Sequence, residues 1–185
     1  MSRKNYKFVQ DHKYANFFER QKKFFLYPER KALYQYRKAQ YYMHSKNLLM
    51  KAFWGIRWLH MRKKGYQLSL DAKIGKNFSL LHHGTRIIVG IASLGEHCTV
   101  GVNVVIGYAY NKETGRHEAP EIGDRVYVGH NATLVGKITV GNDVLIAPNA
   151  YVNTNIPSHS IVIGNNIIIP KTNASEKYLD LDNNN

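Results

Sequence analysis

Residues 94–111 read "LGEHCT VGVNVV IGYAYN", and residues 122–157 continue as "IGDRVY VGHNAT LVGKIT VGNDVL IAPNAY VNTNIP". Every block of six opens on an aliphatic side chain: Leu94, Val100, Ile106, Ile122, Val128, Leu134, Val140, Ile146 and Val152. Gly or Ala follows in seven of the nine blocks, and the fifth position is apolar or small from Cys98 and Val104 through to Ile156. An α-helix repeats every 3.6 residues and a strand every two, so neither generates a period of six with a glycine in it. A coil with short flat sides does, because one large and one small residue point inward on each side before the chain turns. Gly or Asn is expected at the turns, where φ is positive. Stacked coils bury a continuous column of aliphatic side chains, each contributing about 1.5–3 kcal/mol. Cys98 is expected in that column as a core thiol.

Upstream, "IGKNFS" and "LLHHGT" keep the same step from Ile74 and Leu80, so the repeat is read over residues 66–170. One break is expected, the stretch "IGYAYNKETGRHEAPE" between Ile106 and Ile122. Its Asn, Lys, Gly and Pro are loop formers, and residues 108–121 should leave the coil as an extended loop carrying Arg116 and His117.

These blocks resemble the hexapeptide-repeat acyltransferases, and within them the serine O-acetyltransferases, through "AKIGKNFSLLHHGTRIIVG" (72–90) and "GRHEAPEIGDRVYVGHNATLVGKITVGND" (115–143). The resemblance implies a mainly β fold, a left-handed parallel β-helix, assembled as a homotrimer with acetyl-CoA bound in clefts between neighbouring β-helices. It also implies site residues. His83 falls where the family has its general base, and Arg116 with His117 where it holds the acceptor, the His117 ring being one source of an oxyanion donor. Gly129, His130, Ala147 and Pro148 match coenzyme-binding positions, with Lys137 or Lys171 for its phosphate. Imidazole suits the base at neutral pH. No metal is expected, since the histidines lack ligand spacing beside Cys or carboxylates. Small residues at these positions are equally explained by turn geometry, and His97 and His130 read as outward-facing histidines.

Departures from the family bear on the acceptor. The aspartate that precedes the family's base is replaced by His82, here assigned to substrate binding, and fifteen residues before His83 stands Leu68. Fewer carboxylates disfavour a cationic amino group. The pattern therefore resembles more closely the serine acetyltransferase-like proteins of surface-polysaccharide pathways, and that resemblance implies an O-acetyltransferase for a sugar hydroxyl of a surface polysaccharide or its precursor, with a serine O-acetyltransferase of cysteine biosynthesis as the alternative. A non-catalytic scaffold is the competing class; it predicts no CoA binding.

Charge divides the 185-residue chain. Residues 1–65 hold 17 Lys and Arg against 3 acidic residues, whereas residues 66–185 hold 9 against 10. Most aromatic residues also precede Tyr66, while only Gly55 and Gly65 of the 14 glycines do. Residues 1–65 are expected to form two or three basic, aromatic-rich helices, Pro28 starting one and Gly65 ending the last. Either their aromatics pack on each other and on the coil, or the segment makes peripheral contact with an anionic membrane; nucleic acid is not expected as a partner. Residues 171–185 read as a C-terminal tail. With one cysteine, no signal peptide in view and no long apolar run, the chain is expected to be cytoplasmic, with the inner face of the membrane as the alternative site.

Overall fold

The computed structural model describes residues 28–81 and 87–179. Two helices, α1 (Pro28–Met43) and α2 (Leu48–Lys63), precede seventeen short strands. Face I of the β-helix stacks β1 (Tyr66–Leu68), β4 (Ile87–Val89), β7 (Val105–Gly107), β12 (Thr133–Val135) and β15 (Tyr151–Val152). Face II stacks β2 (Lys73–Ile74), β5 (Ser93–Leu94), β10 (Glu121–Ile122) and β13 (Thr139–Val140). Face III stacks β3 (Ser79–Leu80), β6 (Thr99–Val100), β11 (Val126–Val128), β14 (Val144–Ile146) and β16 (Ser160–Ile163), closed by the antiparallel β17 (Ile167–Pro170). This is the left-handed parallel β-helix of hexapeptide-repeat proteins, with a helical segment at its N-terminal end.

The register matches the expected columns. Leu68, Val89, Ile106, Leu134 and Val152 pair in sequence on face I, and Leu80, Val100, Val128, Ile146 and Val162 on face III. All nine block-opening aliphatics are at most 5% exposed, as are the fifth-position residues from Cys98 to Ile156 apart from Tyr110, which starts the excursion and is 58% exposed. Burial raises the Cys98 thiol to about 11, and it donates to the Gly123 carbonyl at 3.2 Å.

Two details of the coil differ from the sequence reading. The positive-φ corners belong to Asn77, Asn103, Asn131, Asn149 and Asn166, but also to His97, Arg125, Asp143 and His159. The glycine after each aliphatic is small for another reason, the close stacking of coils. A Cβ on Gly129 would lie 2.6 Å from the Pro148 nitrogen, inside any tolerable contact with a backbone that has nowhere to go. The second difference is a further break in the period. Leu80 pairs with Val100 and Ile88 with Val105. Eight steps along the first coil therefore match five along the next, so the connection holding His82 and His83 contains three residues more than its counterpart.

The helices close the N-terminal end of the stack. Among the described residues no coil covers the carbonyls of the first turn, and α1 satisfies them with side chains, as buried polar groups require. Tyr36 Oη lies 3.0 Å from the carbonyl oxygens of both Ser69 and Ala72. Arg37 donates to Ile74 and Gly75 at 2.7 and 2.6 Å, and the Gln40 amide to Leu70 and Ala72. Trp58 of α2 donates to the Leu68 carbonyl at 3.1 Å. Ala32, Tyr36 and Met61 belong to the same buried cluster as the aliphatic columns. Asn47 caps α2 by accepting from the Met50 amide.

At the other end, residues 171–179 fold back over face III. Ser175 is fully buried, its hydroxyl 2.7 Å from the Arg125 carbonyl and 2.9 Å from Asp143 Oδ1. Tyr178 packs on Tyr127, with ring centroids 5.1 Å apart.

Candidate active site

The expected loop is an ordered hairpin. Strands β8 (Ala109–Asn111) and β9 (Arg116–Glu118) pair antiparallel with Tyr110 opposite His117. Asn111 shapes the turn: its Oδ1 accepts from the amides of Glu113 and Thr114, and its Nδ2 donates to Glu118. Gly115 takes the one left-handed position in the turn, at φ +65°. The His117 ring packs edge-on against Tyr108, with centroids 4.4 Å apart, and tilted against Tyr110 at 5.3 Å. Two tyrosines thus restrict an exposed imidazole, while Arg116 projects into solvent beside it. Beyond their strand pairing, neither the Arg116 side chain nor the His117 ring has a hydrogen-bond or ion-pair partner among the described residues. Sequence reasoning missed the tyrosines, although "YAYN" and "GRHE" are spaced for strands joined by a short turn.

At the base of the hairpin, a Cβ added to Gly90 would lie 3.5 Å from the Tyr108 ring, and one added to Gly136 would lie 3.9 Å from the Ala109 methyl, both ordinary contacts. Lys137 pairs with Glu118 at 3.8 Å, with most of its side chain in solvent. The residue expected to meet a coenzyme phosphate thus sits across from Glu118, the neighbour of His117, with its ammonium exposed.

Gly129, His130, Ala147 and Pro148 gather at a different edge of the prism, the corner between faces III and I. His130 Nδ1 accepts from the Val102 amide at 2.9 Å, which fixes the proton of the neutral ring on Nε2. Asn131 donates to Asn149 across adjacent coils at 3.1 Å. Gly129 is required by stacking against Pro148, so coil geometry alone accounts for its size. Lys171 is exposed on the tail, its amide bonded to the His159 carbonyl. His97 is an exterior corner residue, 3.3 Å from Asn77.

His82 and His83 lie outside the described residues. Their place in the chain is nonetheless defined by what flanks them: face III ends at Leu80, and face I resumes at Ile87. The hairpin leaves from the I–II corner, after Gly107. One strand of face I, about 10 Å of extended chain, separates the two edges within a chain. Leu68, which stands fifteen residues before His83, is 1% exposed in the face I column, and Asp71 is on the surface. Among the described residues no group of three or more His, Cys, Asp or Glu is arranged to hold a metal ion. No helix among them is long and apolar enough to cross a membrane.

Residues 119–154 match the family described as bacterial transferase hexapeptide (six repeats). Over 103 residues the chain is 38% identical to serine acetyltransferase 4 of Arabidopsis thaliana, a match covering 55% of this chain and 28% of the plant protein. The solved serine acetyltransferase of Neisseria gonorrhoeae in complex with serine superposes with a TM-score of 0.63 at 23% identity, over 80% of this chain and 59% of that one. A serine acetyltransferase solved as its complex with CoA superposes with a TM-score of 0.61 at 24% identity, over 75% of this chain and 55% of that one. In each case the chain spans less than two thirds of the protein it matches.

Proposed function

We propose that this chain is an acetyl-CoA-dependent O-acetyltransferase and that its acceptor is serine. The observation that carries the reading is its 38% identity, over 103 residues, to a serine acetyltransferase. This shifts the acceptor away from the polysaccharide sugar expected from the sequence. In the proposed reaction His83 takes the proton of the acceptor hydroxyl as its oxygen attacks the thioester carbonyl carbon. The tetrahedral intermediate collapses, the C–S bond breaks, and the departing sulfur recovers the proton from the imidazolium, leaving an acetate ester and CoA. Arg116 and His117 hold the acceptor, and His117 supplies a donor to the developing oxyanion. The tyrosines on either side of His117 support that role, because a restrained donor needs no reorganisation during the reaction.

The placement of the two halves supports assembly between chains. Gly129, His130, Ala147 and Pro148 belong to one edge of the prism, and Arg116 with His117 to another. In a homotrimer the hairpin of one chain meets the III–I edge of its neighbour, bringing base, acceptor contacts and the CoA cleft together. A second reading, a sugar hydroxyl as acceptor, draws on one structural observation. Leu68, fifteen residues before His83, is locked in the core and brings no carboxylate to that position.

Thiol release from acetyl-CoA, measured with serine and separately with free hexoses and N-acetylhexosamines, tests both. Release that depends on serine supports the proposal. Release with a sugar alone transfers it to the second reading, and no release with either acceptor rejects both. Light scattering should give the mass of three chains; a monomer would contradict the shared site.

A further inference from the structure

Helix α2 turns its apolar side to solvent. Leu48 is 77% exposed, Leu49 80% and Ile56 67%, with Phe53 and Leu59 each at 49%. At about 100° per residue, these five and Ala52 fall within one arc of roughly 140°, which is apolar over the first three turns and takes in the exposed His60 and Lys63 only in the last turn. The opposite side of the helix is occupied: Met61 is buried, and Trp54 lies against Tyr34 and Tyr42 of α1. The same helical geometry sets Lys51 and Arg62 toward one margin of the arc, the Arg62 guanidinium lying 4.8 Å over the Trp58 ring, and Arg57, its Nε buried, with Lys64 toward the other. From Pro28 to Lys64 the chain has ten Lys and Arg against the single acid Glu29.

We propose that this face of α2 lies on an anionic lipid bilayer, with Leu49, Phe53 and Ile56 inserted below the headgroups and the flanking cations paired with lipid phosphates. An apolar arc bordered by Lys and Arg on both margins is the pattern of helices that rest in the interfacial plane. Charge selects this occupant over the others. A second copy meeting the same face would bring its own cationic margins against these. Residues 1–27 carry seven Lys and Arg against two acids and would do likewise. An anionic surface complements both margins at once. The proposal is independent of the acceptor.

Full-length protein is mixed with vesicles of phosphatidylcholine alone, or of phosphatidylcholine with one third phosphatidylglycerol, and pelleted at low and high salt. Binding is expected to the anionic vesicles only, and to weaken as salt screens the cations. Phe53→Glu and Ile56→Glu should each reduce the bound fraction by about tenfold or more, with the melting temperature unchanged because both positions are exposed. If either charged variant fails to fold, Ile56→Ser with Phe53→Ser reads the same contact. Failure of the native protein to bind anionic vesicles overturns the proposal, as does undiminished binding by the variants. A fall in the mass of the variants without lipid also overturns it, assigning the face to a protein interface. Loss of acetyl transfer with vesicle binding intact would count against the proposed function and leave this one standing.

Discussion

Asp143→Asn isolates what a single buried charge does for the closing segment of the coil. Asp143 is 5% exposed and sits at a corner with φ +54°, a conformation Asn adopts as readily as Asp. Its Oδ2 is 2.8 Å from His159 Nδ1, and its Oδ1 accepts from the hydroxyl and amide of Ser175 at 2.9 and 3.2 Å. Burial acts to raise its pKa, but the bonds from His159, Ser175 and the Ala174 backbone outweigh burial and hold the carboxyl below its ordinary range. Asn keeps the acceptor oxygen and removes the charge, so the loss is the charge-assisted share, about 1–2 kcal/mol. Residues 171–179 should then open about ten times more often, read as faster amide exchange in that segment after correction for intrinsic rates. The pH dependence follows from the direction of the shift. A carboxyl with a depressed folded pKa contributes stability above its unfolded value, about 3.9, and that contribution is lost as pH falls through the folded value. Native protein should therefore keep the segment closed at neutral pH and release it in acid, while the Asn variant lacks this acid-induced release. Equal exchange in the two proteins at pH 7 would refute the assignment of Asp143 as the anchor.

Three further outcomes follow from the coil itself. Gly129→Ala forces a methyl against the Pro148 nitrogen and should cost at least about 2 kcal/mol, measured as a lower denaturant midpoint. Tyr36→Phe removes the hydroxyl that meets the Ser69 and Ala72 carbonyls, at a cost of about 1–2 kcal/mol; an unchanged midpoint would show that α1 does not close the stack. Cys98, raised to about 11 by burial, should resist a thiol reagent at pH 8 in the native protein and react at once in denaturant. Rapid reaction without denaturant would place the thiol at the surface.

The columns were legible because burial in a coil recurs at a fixed interval, and aliphatic residues at positions one and five have no other reason to repeat. The hairpin was legible as an excursion, since its length and turn residues cannot fit the repeat. Corner conformation was only partly readable: Asn signals positive φ, but Arg125, His97 and His159 adopt it under pressure from coils above and below. The break at residues 81–87 was hidden because "LLHHGT" mimics a block in composition, and only pairing of Ile88 with Val105 reveals the three additional residues. The N-terminal cap leaves no sequence pattern, because Tyr36, Arg37 and Gln40 bond to backbone carbonyls, which every residue carries. Likewise nothing local links Asp143 to Ser175, 32 positions away.

The proposed chemistry depends most on His83, and a substitution there tests it most directly. Initial rates of CoA release, with acetyl-CoA and serine both saturating, are to be compared for the native protein and His83→Ala, with melting temperature and CoA affinity measured on each. The proposal predicts a loss of about 10²- to 10⁴-fold in kcat with folding and CoA binding retained. A variant that transfers acetyl groups at the native rate would contradict it.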